Sequence, residues 1–175
     1  MDKPIPNIAF RGMKLSYKAR DFIRPRQIIL SEVPIKPGDT VLDYGCGTGS
    51  YTFIIARIVG PQGRVIATDI HPLAIMHVNS LIKSRDIKNV DALLTDCETD
   101  LPDGSVDVIL LFDIFHMLDD PNRILRELHR VLAPHGILSF SDHHMSEATI
   151  INGMTGSGLF KLKGRAEHTF SFVKK

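Results

Sequence analysis

Five short runs of the chain hold the residue types able to do chemistry, and each contains a carboxylate. "VLDYGCGTGS" (41–50) sets Asp43 ahead of Gly45, Gly47 and Gly49, and "ATDIHP" (67–72) holds Asp69. "LLTDCE" (93–98) holds Asp96 and Cys97, "LLFDIFH" (110–116) holds Asp113 and His116, and "SDHH" (141–144) holds Asp142, His143 and His144. Glycines just after an apolar run let the backbone approach a ligand and reach dihedrals closed to other residues. Pyrophosphate is the first ligand to test. Its fingerprint is G-x-G-x-x-G. Here the spacing is G-x-G-x-G, position 50 is Ser, and Asp43 would repel an anion.

An ionised acid ending a buried strand is costly unless paired. Either the fold supplies the partner or a ligand does. S-adenosylmethionine carries an α-ammonium and a sulfonium and no phosphate, so it suits Asp43 and the carbonyls of the glycine loop. Asp43 can equally cap the loop by bonding its N–H groups, and both roles can hold at once. Asp69, at the end of the next apolar run, stands where an acid accepts from both hydroxyls of a ribose. Its competing role is a helix N-cap ahead of Pro72.

The elements that must position these residues are legible as a repeat. Strand-like runs 40–44, 64–70, 90–96, 106–113 and 136–142 are mostly followed by helical ones. Within 50–59, Tyr51, Ile54, Ile55, Ile58 and Val59 fall on one helix face, and Gly60 and Pro61 end it. A helix over 73–84 follows Pro72, and one over 121–133 carries Ile124, Leu125, Leu128, Val131 and Leu132 on one stripe. The continuous apolar run 106–113 requires a sheet covered on both faces. Such alternation means right-handed βαβ units and a doubly wound parallel sheet. "LFKLK" and "HTFSFVK" around "GRAE" (164–167) predict an antiparallel hairpin at one edge. Residues 1–35 differ in character, with a Pro-rich start and a short helix around 25–33, and are expected to be a lid or a packing segment on a domain of residues 36–175.

Composition narrows the class. The chain has 175 residues, 43% of them hydrophobic, with 21 Lys plus Arg against 20 Asp plus Glu. That is one domain's worth of core, with no net basic surface for nucleic acid. Cys46 and Cys97 make neither a disulfide framework nor a zinc-ligand spacing, which predicts a reducing, cytoplasmic setting and no metal. No signal-peptide core or membrane-length apolar run is present, so no membrane partner is expected; the oligomeric state is left open.

"VLDYGCGTG" resembles motif I of class I S-adenosylmethionine-dependent methyltransferases, an acid followed by alternating glycines. The resemblance extends through residues 38–142, and the terminal hairpin is similar to that family's last two strands. It points to the small-molecule branch related to quinone-biosynthesis methyltransferases. It implies a seven-stranded, mostly parallel Rossmann-like sheet with an antiparallel C-terminal hairpin. It further implies that Asp69 takes the ribose, Ile70 lies on the adenine face, Asp96 accepts the adenine amino group and Cys97 lines the ring. Asp113 sits below the transferring methyl group, where family members often differ, and either faces the methionine moiety or serves structure alone.

The implied function is methyl transfer to a small-molecule acceptor by in-line displacement. His116 and His143 are candidate bases for it, His144 a weaker one. The alternative is a non-catalytic sensor or regulatory partner with the same fold; an NAD-dependent oxidoreductase is disfavoured by Asp43 and Ser50. "DIFH" stands where amino-group methyltransferases of DNA bases or glutamine carry Asn-Pro-Pro-Tyr, and two cysteines are too few for a multi-cysteine arsenite mechanism.

Overall fold

The structure, a computed structural model, describes residues 26–175. The apolar runs form one seven-stranded sheet in the order β3-β2-β1-β4-β5-β7-β6. Its strands are β1 (Thr40–Tyr44), β2 (Arg64–Asp69), β3 (Val90–Leu94), β4 (Val106–Phe112), β5 (Leu132–Ser141), β6 (Phe160–Arg165) and β7 (Phe170–Lys174). β1 to β5 are mutually parallel, while β7 runs antiparallel to both β5 and β6. The doubly wound sheet with its antiparallel hairpin is therefore the one expected from the sequence. Strand order reverses between β1 and β4, so the crevice at their carboxyl ends is where such a sheet takes a ligand.

Alternate side chains of β4 explain its unbroken apolarity. Val108, Leu110 and Phe112 pack in one cluster with Val41, Val65, Ile55 and Val59. Ile109 and Leu111 face the other way, against Leu42, Leu138 and Phe140. Each face is closed by helices: α2 (Thr52–Val59) brings Ile55 and Val59, and α4 (Pro121–Val131) brings Ile124, Leu125, Leu128 and Val131. α3 (Pro72–Ser84) opens on His71, whose Nδ1 accepts from the N–H of Leu73, with Pro72 in the first turn.

Element ends depart from the periodicity reading in physically simple ways. β2, β3 and β4 stop at Asp69, Leu94 and Phe112, one or two residues early, where the chain turns away to form the site. α2 starts at Thr52, not at 50, with Tyr51 as its N-cap. Leu132 leaves the α4 stripe and enters β5, opposite Val106, and a register shift between Val106 and Val108 absorbs the residues before Ile137. In the hairpin, Gly164 and Arg165 belong to β6, opposite Ser171 and Phe170, so the connection is 166–169 rather than 164–167. α5 (Glu147–Thr155), capped by Ser146, fills a segment with no helix expected.

The segment ahead of β1 packs where it is described. α1 (Arg26–Ser31) puts Leu30, followed by Val33, into the α2 face of the core. Glu32 accepts from the N–H of His168 and the hydroxyl of Thr169, tying that segment to the hairpin connection. The rest of the predicted lid, residues 1–25, lies outside the described residues.

Candidate functional site

Gly45, Gly47 and Gly49 have φ of +81°, +54° and +75°, a left-handed path that only glycine follows without strain. A Cβ on Gly45 would lie 2.8 Å from Cδ1 of Ile114, so the loop after β1 lies against the loop after β4. The N–H groups of Gly45 and Cys46 both donate to the carbonyl of Thr68, which fixes the loop to β2. Asp69 completes the clamp. Its Oδ2 accepts from the N–H of Gly47 at 2.8 Å, and its Oδ1 from the N–H of His71 at 2.7 Å. The alternative role of Asp69, a helix N-cap, falls to His71 instead.

Asp43 answers the question its position raised. It is buried, and the hydroxyl of Thr52 donates to its Oδ2 at 2.5 Å. Burial pushes its carboxyl up to about 6, against the Thr52 bond and the attraction of Arg26. Burial also raises Asp69, against the N–H bonds it accepts from His71 and Gly47. The partner that the fold supplies is thus the Thr52 hydroxyl, with the buried Arg26 guanidinium as the attracting charge, rather than the loop N–H groups. The loop itself, 44–51, contains no Lys or Arg. A loop between two carboxylates, with no Lys or Arg of its own, is suited to a cation and to hydroxyls and unsuited to a phosphate.

The adenine-side residues divide. Ile70 is part-exposed just beyond β2. Asp96 is half-exposed and lies 3.3 Å from Nη1 of Arg123, whose Nη2 bonds Glu98 at 2.7 Å. Cys97, expected to line the ring, lies in the interior. It is 1% exposed, packs in the core cluster of Tyr44 and Ile124, and points its Sγ at the carbonyl of Arg123. Packing is the role its burial matches. Cys46 is buried too, and both thiols are free.

At the ends of β4 and β5 the acids and histidines pair crosswise. Nδ1 of His116, after β4, lies 2.8 Å from Oδ2 of Asp142, at the end of β5. Nδ1 of His143, after β5, lies 2.7 Å from Oδ1 of Asp113, at the end of β4. Backbone donors reinforce the exchange: the N–H of His116 reaches Asp142 at 3.3 Å, that of His144 reaches Asp142 Oδ1 at 3.1 Å, and that of His143 reaches Asp113 at 3.4 Å. Asp113 has φ +55°, a conformation unusual for a non-glycine residue and common near functional sites. The ring of His144 lies between, with its centroid 4.3 Å from that of His116 and 3.9 Å from that of His143. Among the described residues no group of side chains is arranged to hold a metal.

The sequence places Asp113, His116 and His143 at one edge of the sheet but does not pair Asp142 with His116 or Asp113 with His143. The signal was present in the matching positions of "DIFH" and "DHH", each an acid at a strand end followed by a histidine. The pairing was hidden because each acid serves the other strand's histidine.

Comparisons with known proteins bear on this site. The profile of a family described as "Methyltransferase domain" matches residues 35–168. An arsenite methyltransferase from Halobacterium salinarum is 34% identical over 107 residues, covering 61% of this chain and 27% of that protein. A demethylmenaquinone methyltransferase from Listeria welshimeri is 28% identical over 142 residues, covering 81% of this chain and 59% of that protein. The chain thus spans roughly a quarter to three fifths of the length of these relatives. A crystal structure of a SAM-dependent methyltransferase from Aquifex aeolicus superposes with TM-score 0.82 and 25% identity, covering 97% of each chain.

Proposed function

The chain belongs to the methyltransferase domain family, and we propose that it transfers a methyl group from S-adenosylmethionine to a small-molecule acceptor by in-line displacement. The observation that carries this reading is the glycine loop held between two buried or half-buried acids with no cation in it. Asp43 and the loop carbonyls receive the ammonium of the methionine part, Asp69 the ribose hydroxyls, and Ile70 and Asp96 the adenine. Asp113 closes the methionine side through the loop that meets Gly45. When bound, the sulfonium supplies a methyl group already activated for attack. The protein's work is then alignment and exclusion of water.

His116 and His143 stand at the carboxyl ends of the two strands bordering the acceptor side, and each is a proton acceptor for an acceptor hydroxyl. A quinol-like or other small hydroxylated acceptor fits this arrangement better than arsenite. Both cysteines are buried, so the chain presents no exposed thiol pair. No described helix is long and apolar enough to cross a membrane.

Calorimetric titration with S-adenosylmethionine, S-adenosylhomocysteine and NAD tests the ligand. Binding of the first two and not of NAD is expected; the reverse would overturn the reading. Release of S-adenosylhomocysteine with a panel of small metabolites separates an enzyme from a sensor of the same fold.

A further inference from the structure

The exchanged pairs are chemically alike but not equivalent. The side chain of Asp142 has no solvent exposure and that of its partner His116 is 27% exposed, whereas Asp113 and His143 are 23% and 46% exposed. Asp142 also meets three nitrogens, the N–H of His144 on Oδ1 and both the N–H and the ring Nδ1 of His116 on Oδ2. Its rotamer is thereby fixed from two sides.

We propose that Asp142 is a positioning residue that locks His116 as the Nδ1–H tautomer, leaving Nε2 as the lone-pair site that takes the acceptor's proton. The inference rests on the functional reading above for the identity of that proton.

The chemistry follows from the inventory of the groups. A carboxylate only accepts, so a neutral imidazole 2.8 Å away places its single N–H on the facing nitrogen. The other nitrogen then carries the lone pair, as it does wherever a carboxylate sets a histidine tautomer. In the transfer, the acceptor oxygen forms its bond to the methyl carbon and gives its proton to Nε2 of His116. The sulfur keeps the electron pair of the broken S–C bond and becomes a neutral thioether. The imidazolium so formed stands against Asp142, whose burial leaves little water to compete for the interaction. His143 is held by a more exposed acid, and the ring of His144 packs against both histidines. His116 is therefore the better-defined base of the two.

The test is the tautomer itself, read by long-range proton–nitrogen NMR on the full chain labelled at its histidine nitrogens. At a pH above histidine titration and with no ligand added, His116 should show the Nδ1–H signature in the wild type. An Nε2–H signature there would overturn the proposal without any variant being made. In Asp142→Asn, the amide oxygen is expected to keep the N–H of His144, which turns the amide NH₂ toward His116. More than half of the His116 signal should then move to the Nε2–H form. In Asp113→Asn the change should be confined to His143. A His116 tautomer indifferent to Asp142→Asn would mean that Asp142 only ties loops together, and would overturn the proposal. Failure of S-adenosylmethionine to bind the wild type would overturn the functional reading instead, a separate measurement on the same sample.

Discussion

Two halves of the same sheet edge use their acids differently. At the ends of β1 and β2, Asp43 and Asp69 bond a hydroxyl and backbone N–H groups, and so hold a loop in a left-handed path. At the ends of β4 and β5, Asp113 and Asp142 bond imidazoles, and so hold side chains that can change protonation state. In the function proposed above, the first half binds and the second moves a proton. They meet where Gly45 lies against Ile114, the residue between Asp113 and the 3₁₀ turn Phe115–Met117 that carries His116. That division predicts that variants in the first half change affinity and variants in the second change turnover.

Asp69→Ala should break the binding half most severely. It removes the acceptor of the Gly47 and His71 N–H groups together with the proposed ribose contacts. Charge-assisted hydrogen bonds contribute about 1.5–3 kcal/mol each. Two of them amount to a loss of about 10²-fold or more in S-adenosylmethionine affinity, measurable by calorimetry on a protein whose circular dichroism shows it folded. Unchanged affinity would remove Asp69 from the ribose site.

His116→Ala should break the other half with the opposite signature. Once an acceptor is found, turnover is expected to fall by about 10²-fold, as loss of a general base does. Affinity for S-adenosylmethionine should move by no more than about two-fold. His143→Ala should cost less turnover, because its paired acid is the more exposed one. Full turnover in both variants would reduce catalysis to proximity alone.

Asp43→Asn sets binding against stability within the first half. Burial raises the Asp43 carboxyl from its ordinary 3.8 to about 6. The folded protein therefore keeps a proton that the unfolded chain releases between those values, and stability falls as pH rises through that window. An amide carries no such penalty and still accepts from Thr52. The variant should be more stable than the wild type at pH 7 by about 1–3 kcal/mol, and equal to it near pH 3.5. Its affinity for S-adenosylmethionine should nonetheless drop about ten-fold, the size of one lost interaction with a charged group. Thermal melts at the two pH values, beside one titration, check both signs.

The same division governs what could be read from the chain. The binding half is contiguous: Asp43 and the three glycines lie within seven residues and Asp69 ends the next strand, so local spacing and strand periodicity exposed them, while Thr52, the partner of Asp43, carried no signal of its own. The exchanged pairs span 26 and 30 residues. They depend on β4 and β5 being neighbours in register, with Phe112 opposite Ser141, which spacing along the chain does not encode. Cys97 shows the converse: the resemblance implies a place on the ring, whereas its side chain packs at 1% exposure among core residues that include Ile124 of α4. The strand ends differ from the periodicity at the site itself, where Asp69 is the last residue of β2 and Asp96 and Asp113 lie just past β3 and β4.

The smallest expected effect concerns the adenine side, where the two halves' logics compete for one residue. Asp96 has been given a binding role, yet its Oδ2 lies 3.3 Å from Arg123, while Glu98 holds the same guanidinium at 2.7 Å. Exposed ion pairs of this kind add little to stability. Arg123 is therefore held mainly by Glu98, and Asp96 keeps lone pairs that the proposed adenine amino group would use. Arg123→Ala should then shift S-adenosylmethionine affinity by less than about three-fold, while Asp96→Ala lowers it by about ten-fold, the scale of one hydrogen bond to a charged group. Titration of the pair decides between two geometries. If Arg123→Ala costs as much as Asp96→Ala, the ion pair itself forms the adenine wall. If neither matters, the adenine lies against Ile70 alone, and the binding half ends at β2.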